Sequence, residues 1–218
     1  MGGVGRVGVE WSSQPGGAEP PSHKGPKRRM LGGEPATQTR RVEESLLWRR
    51  AFLSRLVGSR LLGREVDVRV WESSPGLRIT TDASPWGLGA VLEVHGRPIS
   101  YLSCAVTQQD AERLGIEVGS CRGQAPAEAL AVLVALRTWY STWAGCRLAL
   151  QVRSDSTAAL GALGKFGSPS PSVNKVAREI SLDVAMSSYG VDIWTHVPAA
   201  SNEEADILSR WHEPGVVP

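Results

Sequence analysis

Residues 77–102 read LRITTDASPWGLGAVLEVHGRPISYL. From Leu77 to Thr81 apolar and polar side chains alternate, and that period of two describes a half-buried strand. Asp82-Ala83-Ser84-Pro85-Trp86-Gly87 then supplies turn formers. Leu88 to Val94 and Pro98 to Leu102 read as two more strands, joined at His95-Gly96. Three strands connected this tightly form an antiparallel meander, because parallel neighbours need a long crossover.

Beyond the meander the pattern changes to alternating strands and helices. Residues 103–124 are polar and Gly-containing and carry no assignable period. Pro126 stands at a plausible first helical position and opens a helix to about Trp143, with Leu133, Leu136 and Tyr140 at helical spacing. Arg147 to Arg153 alternates with Leu148, Leu150 and Val152 on one face, and Ser156 to Leu160 starts a helix that Gly167 to Pro171 breaks. A further helix from about Ser172 to Ser188 leads to a strand at Val191–His196, and a last helix begins near Ser201. The order is three strands, helix, strand, two helices, strand, helix. That is an α/β domain over residues 76–212, with 213–218 as a tail.

The N-terminal third is of another kind. Between Met1 and Thr37 stand 9 Gly and 5 Pro, a composition that buries too little to offset the entropy of ordering a backbone. Residues 1–42 therefore read as a disordered basic arm, with a cluster at Lys24, Lys27, Arg28 and Arg29 that is either a solvated charge run or a nuclear-import signal. Residues 43–75 read as a basic helix and linker. Arg49, Arg50, Arg55 and Arg60 interleave there with Leu46, Leu47, Phe52 and Leu53, so this helix either lies across a phosphate backbone or packs through its arginine stems. Residues 1–64 hold 12 basic and 5 acidic side chains, whereas residues 65–218 hold 12 and 17. A basic arm on an acidic body suits an arm that meets a polyanion.

The remaining composition excludes classes. The 218 residues are too few for a multidomain polymerase, and the longest clean apolar run, Ala129 to Leu136, is far below the roughly 18 residues of a membrane span. Cys104, Cys121 and Cys146 form no CxxC pair and leave an odd thiol, which fits a reducing compartment better than a disulfide framework or a zinc knuckle. Neither a secretory signal nor a myristoylation motif is present at Met1. The expected location is intracellular, nucleus or cytoplasm.

Four carboxylates stand out by position. Asp82 ends the first strand on the parity of Arg78 and Thr80, pointing away from the face filled by Leu77 and Ile79; as a bland residue it begins the turn. Glu128 falls in the expected first helical turn, where the macrodipole favours an anion. Asp155 stands between strand and helix, where an N-cap is expected. Asp206 follows a capping box of Ser201 and Glu204, so it falls in the second turn with no cap to make. Each acid is at a strand end or near the start of a helix, which is where α/β sheets gather functional groups. Brought together they would repel one another and raise their own pKa values unless cations neutralised them. A pair of Mg²⁺ ions about 4 Å apart resolves that repulsion.

The stretches Thr80-Thr81-Asp82-Ala83-Ser84 with Trp86-Gly87-Leu88-Gly89-Ala90, Arg97-Pro98-Ile99-Ser100-Tyr101, Glu128-Ala129-Leu130-Ala131-Val132-Leu133, Ser154-Asp155-Ser156-Thr157-Ala158-Ala159-Leu160, and His196-Val197-Pro198 through Asn202 to Ala205-Asp206-Ile207-Leu208-Ser209-Arg210 occur in this order. Together they resemble the ribonuclease H domain of retroelement reverse transcriptases, in the forms carried by retrotransposons, over about residues 76 to 212. The resemblance implies a ribonuclease H-like α/β fold: a five-stranded mixed sheet, three antiparallel strands followed by parallel ones, flanked by helices. It implies cleavage of the RNA strand of an RNA/DNA hybrid, with Asp82, Glu128, Asp155 and Asp206 holding two Mg²⁺ ions, or Mn²⁺ in their place. It matches His196 to the family's loop histidine, which shuttles a proton or helps product leave. Ser84, Ser156 and Asn202 would face nucleic acid, with Arg49 and Arg50 adding phosphate contacts, and a polymerase domain or other retroelement protein in trans is an implied partner. No membrane is implied.

Two features depart from the family. The segment from Cys104 to Ala127 is long, which leaves Glu117 as an alternative to Glu128. Between Leu163 and Lys175 the only basic residue is Lys165, so the basic helical protrusion of the stand-alone cellular enzymes is missing. No Tyr-x-Asp-Asp-type polymerase motif is present, as expected of a fragment or separated descendant. The competing expectation is a ribonuclease H-like module that binds without cutting; a third is another nuclease or an integrase of related fold.

Overall fold

The computed structural model describes Leu46, Arg50 and residues 76–143, 149–187 and 190–216. The chain divides into two units, Trp11–Val66 and a second comprising Asp67–Pro218 with Met1–Glu10. In the first unit Leu46 and Arg50 are helical and exposed. The arm at 1–42, Arg49 and the rest of the expected basic helix and linker lie outside the described residues.

In the second unit the alternating segments form strands β1 (Leu77–Ala83), β2 (Gly87–Val94) and β3 (Arg97–Ala105). The His95-Gly96 joint carries positive φ at both residues (52° and 73°), the twist that a two-residue hairpin requires. Helices α1 (Gln108–Leu114), α2 (Gln124–Thr138) and the short α3 (Tyr140–Trp143) follow. Then come β4 (Ala149–Ser154), α4 (Thr157–Gly164), α5 (Pro171–Met186), β5 (Gly190–His196), a 3₁₀ turn at Ala199–Ser201 and α6 (Glu203–Arg210). The sheet order is β3-β2-β1-β4-β5; β1, β2 and β3 pair antiparallel, and β4 joins β1 and β5 in parallel. This is the five-stranded mixed sheet, flanked by helices, that the motifs implied. Among the described residues no helix is long and apolar enough to cross a membrane.

The core lies between the sheet and α2. Every residue of α2 from Pro126 to Leu136 is buried, because the helix is packed against β1 and β2 and also meets α4 and α5. Ile79, Leu92, Leu102, Leu150 and Val152 fill the sheet side of this layer. The helix ends at Thr138, earlier than its periodicity suggests. Trp139 turns back so that its indole N–H donates to Ser100 Oγ at 3.1 Å, and Tyr140 is left 44% exposed instead of continuing the stripe.

The opposite face is covered at the Asp82 end by α6, and glycine makes this approach possible. A Cβ on Gly89, the partner of Asp82 across the β1–β2 ladder, would lie 2.1 Å from the Ala205 carbonyl oxygen. On Gly87 it would lie 2.6 Å from that of Ser209. The unassigned 103–124 segment holds helix α1, whose N-terminus is capped by Thr107. Its loop rests on the turn after Asp82: Gly119 N–H donates to Pro85 O at 2.8 Å, and Trp86 leaves no room for a side chain at Gly119.

Candidate metal centre

The trio Asp82, Glu128 and Asp155 is assembled from three separate elements. Asp82 sits near the end of β1, Glu128 in the second turn of α2, and Asp155 directly after β4, the strand that pairs with β1. One carboxylate oxygen from each lies within 4.8 Å of the others. Asp82 and Glu128 are buried, at 5% and 3% exposure, and Asp155 is partly exposed. Among the described residues none of the three forms an ion pair.

Burial shapes their chemistry. Burial, Asp82's charge and then Asp155's push the Glu128 carboxyl up to about 8, opposed by the bond from Gln124. Asp82 is pushed up to about 6, first by burial, against the Ser209 hydroxyl that favours its charged form, and then by Asp155 and Asp206. Glu128 Oε1 accepts from Gln124 Nε2 at 2.9 Å, and the same amide also donates to the Ala83 carbonyl. Glu128 Oε2 is buried with no hydrogen-bond partner. An orphaned, buried carboxylate oxygen beside two more carboxylates fits a hard divalent cation, which takes an all-oxygen shell.

Asp206 stands apart from the trio. It lies close enough to raise the Asp82 pKa, yet its side chain is 41% exposed and its Oδ1 accepts from Arg210 Nε at 2.7 Å, one turn along α6.

Three local expectations change. Glu128 is not in the first turn, because α2 starts at Gln124 behind Gly123 in the left-handed region, so the helix terminus does not explain it. Asp155 is not the N-cap; Ser156 takes that place, its Oγ accepting from Ala159 N–H at 3.3 Å, and the aspartate is released for other use. The Ser201–Glu204 capping box does not form, since Ser201 closes the 3₁₀ turn and Asn202 is the first flanking residue of α6. Asp206 therefore lies in the first turn, where a carboxylate suits the macrodipole.

Asn202 and Ser84 face inward. Asn202 is buried, and its Nδ2 donates at 3.2 Å to both Asp82 Oδ1 and the Thr81 carbonyl. Ser84 is 3% exposed and its hydroxyl is committed within the protein, donating to Ser209 O at 2.7 Å. His196 is exposed at the end of β5, paired in register with Ser154 and so beside the strand end that carries Asp155. Glu117 is exposed in the loop before α2 and does not join the trio. Two contributors went unread in the sequence. Gln124 lies one helical turn before Glu128, and Ser209, three residues after Asp206, donates to Asp82 Oδ2 at 2.8 Å. The i,i+4 and i,i+3 spacings were the available signals.

No family model and no curated protein matches this chain. Among solved structures it is similar to ribonuclease H1 from the halophilic archaeon Halobacterium salinarum NRC-1, at 21% identity over 62% of this chain and 96% of that one, with a TM-score of 0.46. It is also similar to LC11-RNase H1, isolated from compost by a metagenomic approach, in complex with RNA/DNA hybrid: 19% identity, 61% of this chain and 92% of that one, TM-score 0.49. A third is the foamy viral protease-reverse transcriptase in complex with dsDNA, at 15% identity over 71% of this chain and 36% of that one, TM-score 0.29.

Proposed function

We propose that this chain is a metal-dependent endonuclease that cleaves the RNA strand of RNA/DNA hybrids, a ribonuclease H of retroelement type occupying residues 76–212. The observation that carries the reading is the trio itself: three carboxylates from distant elements, two of them buried, with one buried oxygen unpartnered. Asp82, Glu128 and Asp155 would hold divalent cations, with Asp206 joining from α6 and Mg²⁺ preferred by the oxygen-only donor set. Held by these carboxylates, a pair of Mg²⁺ ions would supply acidified water and charge stabilisation for the leaving oxygen.

The protein's own groups supply the rest. Asp82 is held by two neutral donors, Asn202 and Ser209, so its carboxylate stays oriented without a competing ion pair. His196, exposed beside Asp155, accepts or returns a proton at the rim. Ser156 faces the substrate, whereas Ser84 and Asn202 act from beneath. Arg49 and Arg50 of the N-terminal unit would add phosphate affinity, since the short 165–170 connection carries Lys165 as its only basic residue. Hybrid is selected through its 2′-hydroxyls and groove shape, without base preference. A polymerase domain supplied in trans would extend that grip.

A second reading, a module that binds hybrid without cutting, draws on the exposure of Asp206 and its pairing with Arg210. The full chain incubated with end-labelled RNA/DNA hybrid, RNA duplex and DNA duplex, each with Mg²⁺ or EDTA, separates the two. Mg²⁺-dependent cutting confined to the RNA of the hybrid is expected. Hybrid bound but uncut by protein that binds Mg²⁺ selects the second reading.

A further inference from the structure

Ser84 and Ser209 link the end of β1 to α6 through a chain of hydrogen bonds that runs from Ser84 to Ser209 and from Ser209 to Asp82. Ser84 Oγ donates to the Ser209 carbonyl at 2.7 Å, and the single hydroxyl proton of Ser209 has two acceptors in reach, Asp82 Oδ2 at 2.8 Å and the Asp206 carbonyl at 2.9 Å. Both serines are buried, Ser209 completely. Ser84 is itself fixed, because the backbone amides of Trp86 and Gly87 donate to its oxygen at 3.2 and 3.0 Å. The junction is also where helix and sheet approach most tightly, with no room for a Cβ at Gly87 or Gly89. Buried in α6 within reach of the carbonyl three residues earlier, the Ser209 oxygen has its place set by the helix, and its proton turned to Asp82 serves the charged acceptor. The Asp82 side chain therefore takes its orientation from α6, the helix that also carries Asp206.

We propose that Ser209 is a positioning residue for metal binding: its hydroxyl holds Asp82 in the rotamer that faces Glu128 and Asp155, and Ser84 holds Ser209. This rests on the metal-dependent reading above. A purely structural clasp would affect stability alone, whereas a positioning hydroxyl sets metal affinity in protein that remains folded.

The test is calorimetric titration of the full chain with Mn²⁺ and Mg²⁺, with melting followed by circular dichroism. Ser209→Ala removes one buried oxygen and is expected to weaken metal binding about tenfold, the scale of losing a group that orients a ligand. Ser84→Ala leaves the Ser209–Asp82 bond in place, and its expected loss is smaller than the roughly tenfold loss of Ser209→Ala. The near-isosteric pair Ser209→Thr and Ser209→Val compares the same shape with and without a hydroxyl, with tighter binding expected for Thr. It carries the test if Ser209→Ala does not fold. Equal metal affinity in wild type and Ser209→Ala, or in the Thr and Val variants, overturns the proposal. Wild-type protein that binds neither metal overturns the reading beneath it instead.

Discussion

Helix α2 serves two clusters of buried and part-buried acids, one near each end, and they are balanced in opposite ways. Near its C-terminus Arg137 reaches α5, where Nε lies 2.7 Å from Asp183 Oδ2 and one terminal nitrogen lies 3.1 Å from Asp183 Oδ1 and 2.9 Å from Glu179 Oε2. Burial alone would lower the Arg137 pKa, but the bonds and charges of Asp183 and Glu179 outweigh it and hold the pKa above its ordinary value. Near the N-terminus Glu128 meets Asp82 and Asp155, none of which forms an ion pair among the described residues, and the pKa values of Glu128 and Asp82 rise. Where acids serve to tie two helices together, the chain carries its own counter-charge. At the strand ends the acids face one another instead, which is the arrangement that the proposed metal site requires.

The contrast is tested most severely by Asp82→Asn. Cleavage of hybrid should fall by at least ~10³-fold, while the metal-free melting temperature stays level or rises because a repelling charge is gone. Retained cleavage would end the metal reading. Arg137→Met should do the reverse: urea unfolding should show a loss of about 3 kcal/mol, since two part-buried acids lose their partner, with metal affinity in the folded protein unchanged.

Melting temperature against pH, with and without Mg²⁺, reads the same difference directly. Asp82 and Glu128 have folded pKa values of about 6 and about 8, above the roughly 4 of unfolded carboxyls. The folded state therefore binds more protons between about pH 4 and 8. Their contribution to stability is fully present below pH 4 and is lost as pH rises through the folded values. Metal-free protein should lose melting temperature over that window, and Mg²⁺ should restore it at the upper end. The smallest effect is expected at Arg210→Gln, which removes an exposed i,i+4 pair and should cost about 0.3–0.5 kcal/mol by urea titration. A larger loss would mean that Arg210 also screens the trio.

The sequence was a good guide wherever the information was local. The alternation at 77–81, the strand expected at 88–94 and the helix expected near Pro126 all appear, the helix beginning two residues earlier at Gln124. It misled at caps. Ser156 rather than Asp155 starts α4, and a 3₁₀ turn consumes Ser201, because a cap depends on backbone angles that residue type leaves open. Helix α1 within 103–124 was missed for want of a periodic apolar face in seven residues.

Residue order was sufficient to mark Asp82, Glu128, Asp155 and Asp206 as acids at element ends, since strand parity and helix starts are properties of neighbours along the chain. Which of them meet was settled only by packing. Antiparallel and parallel ladders on β1 and the close seat of α6 on Gly87 and Gly89 bring three carboxylates within 4.8 Å, leave the fourth paired to Arg210, and turn Ser84 and Asn202 inward. Distances between residues remote in sequence depend on how surfaces fit, and that fit has no counterpart in a local pattern.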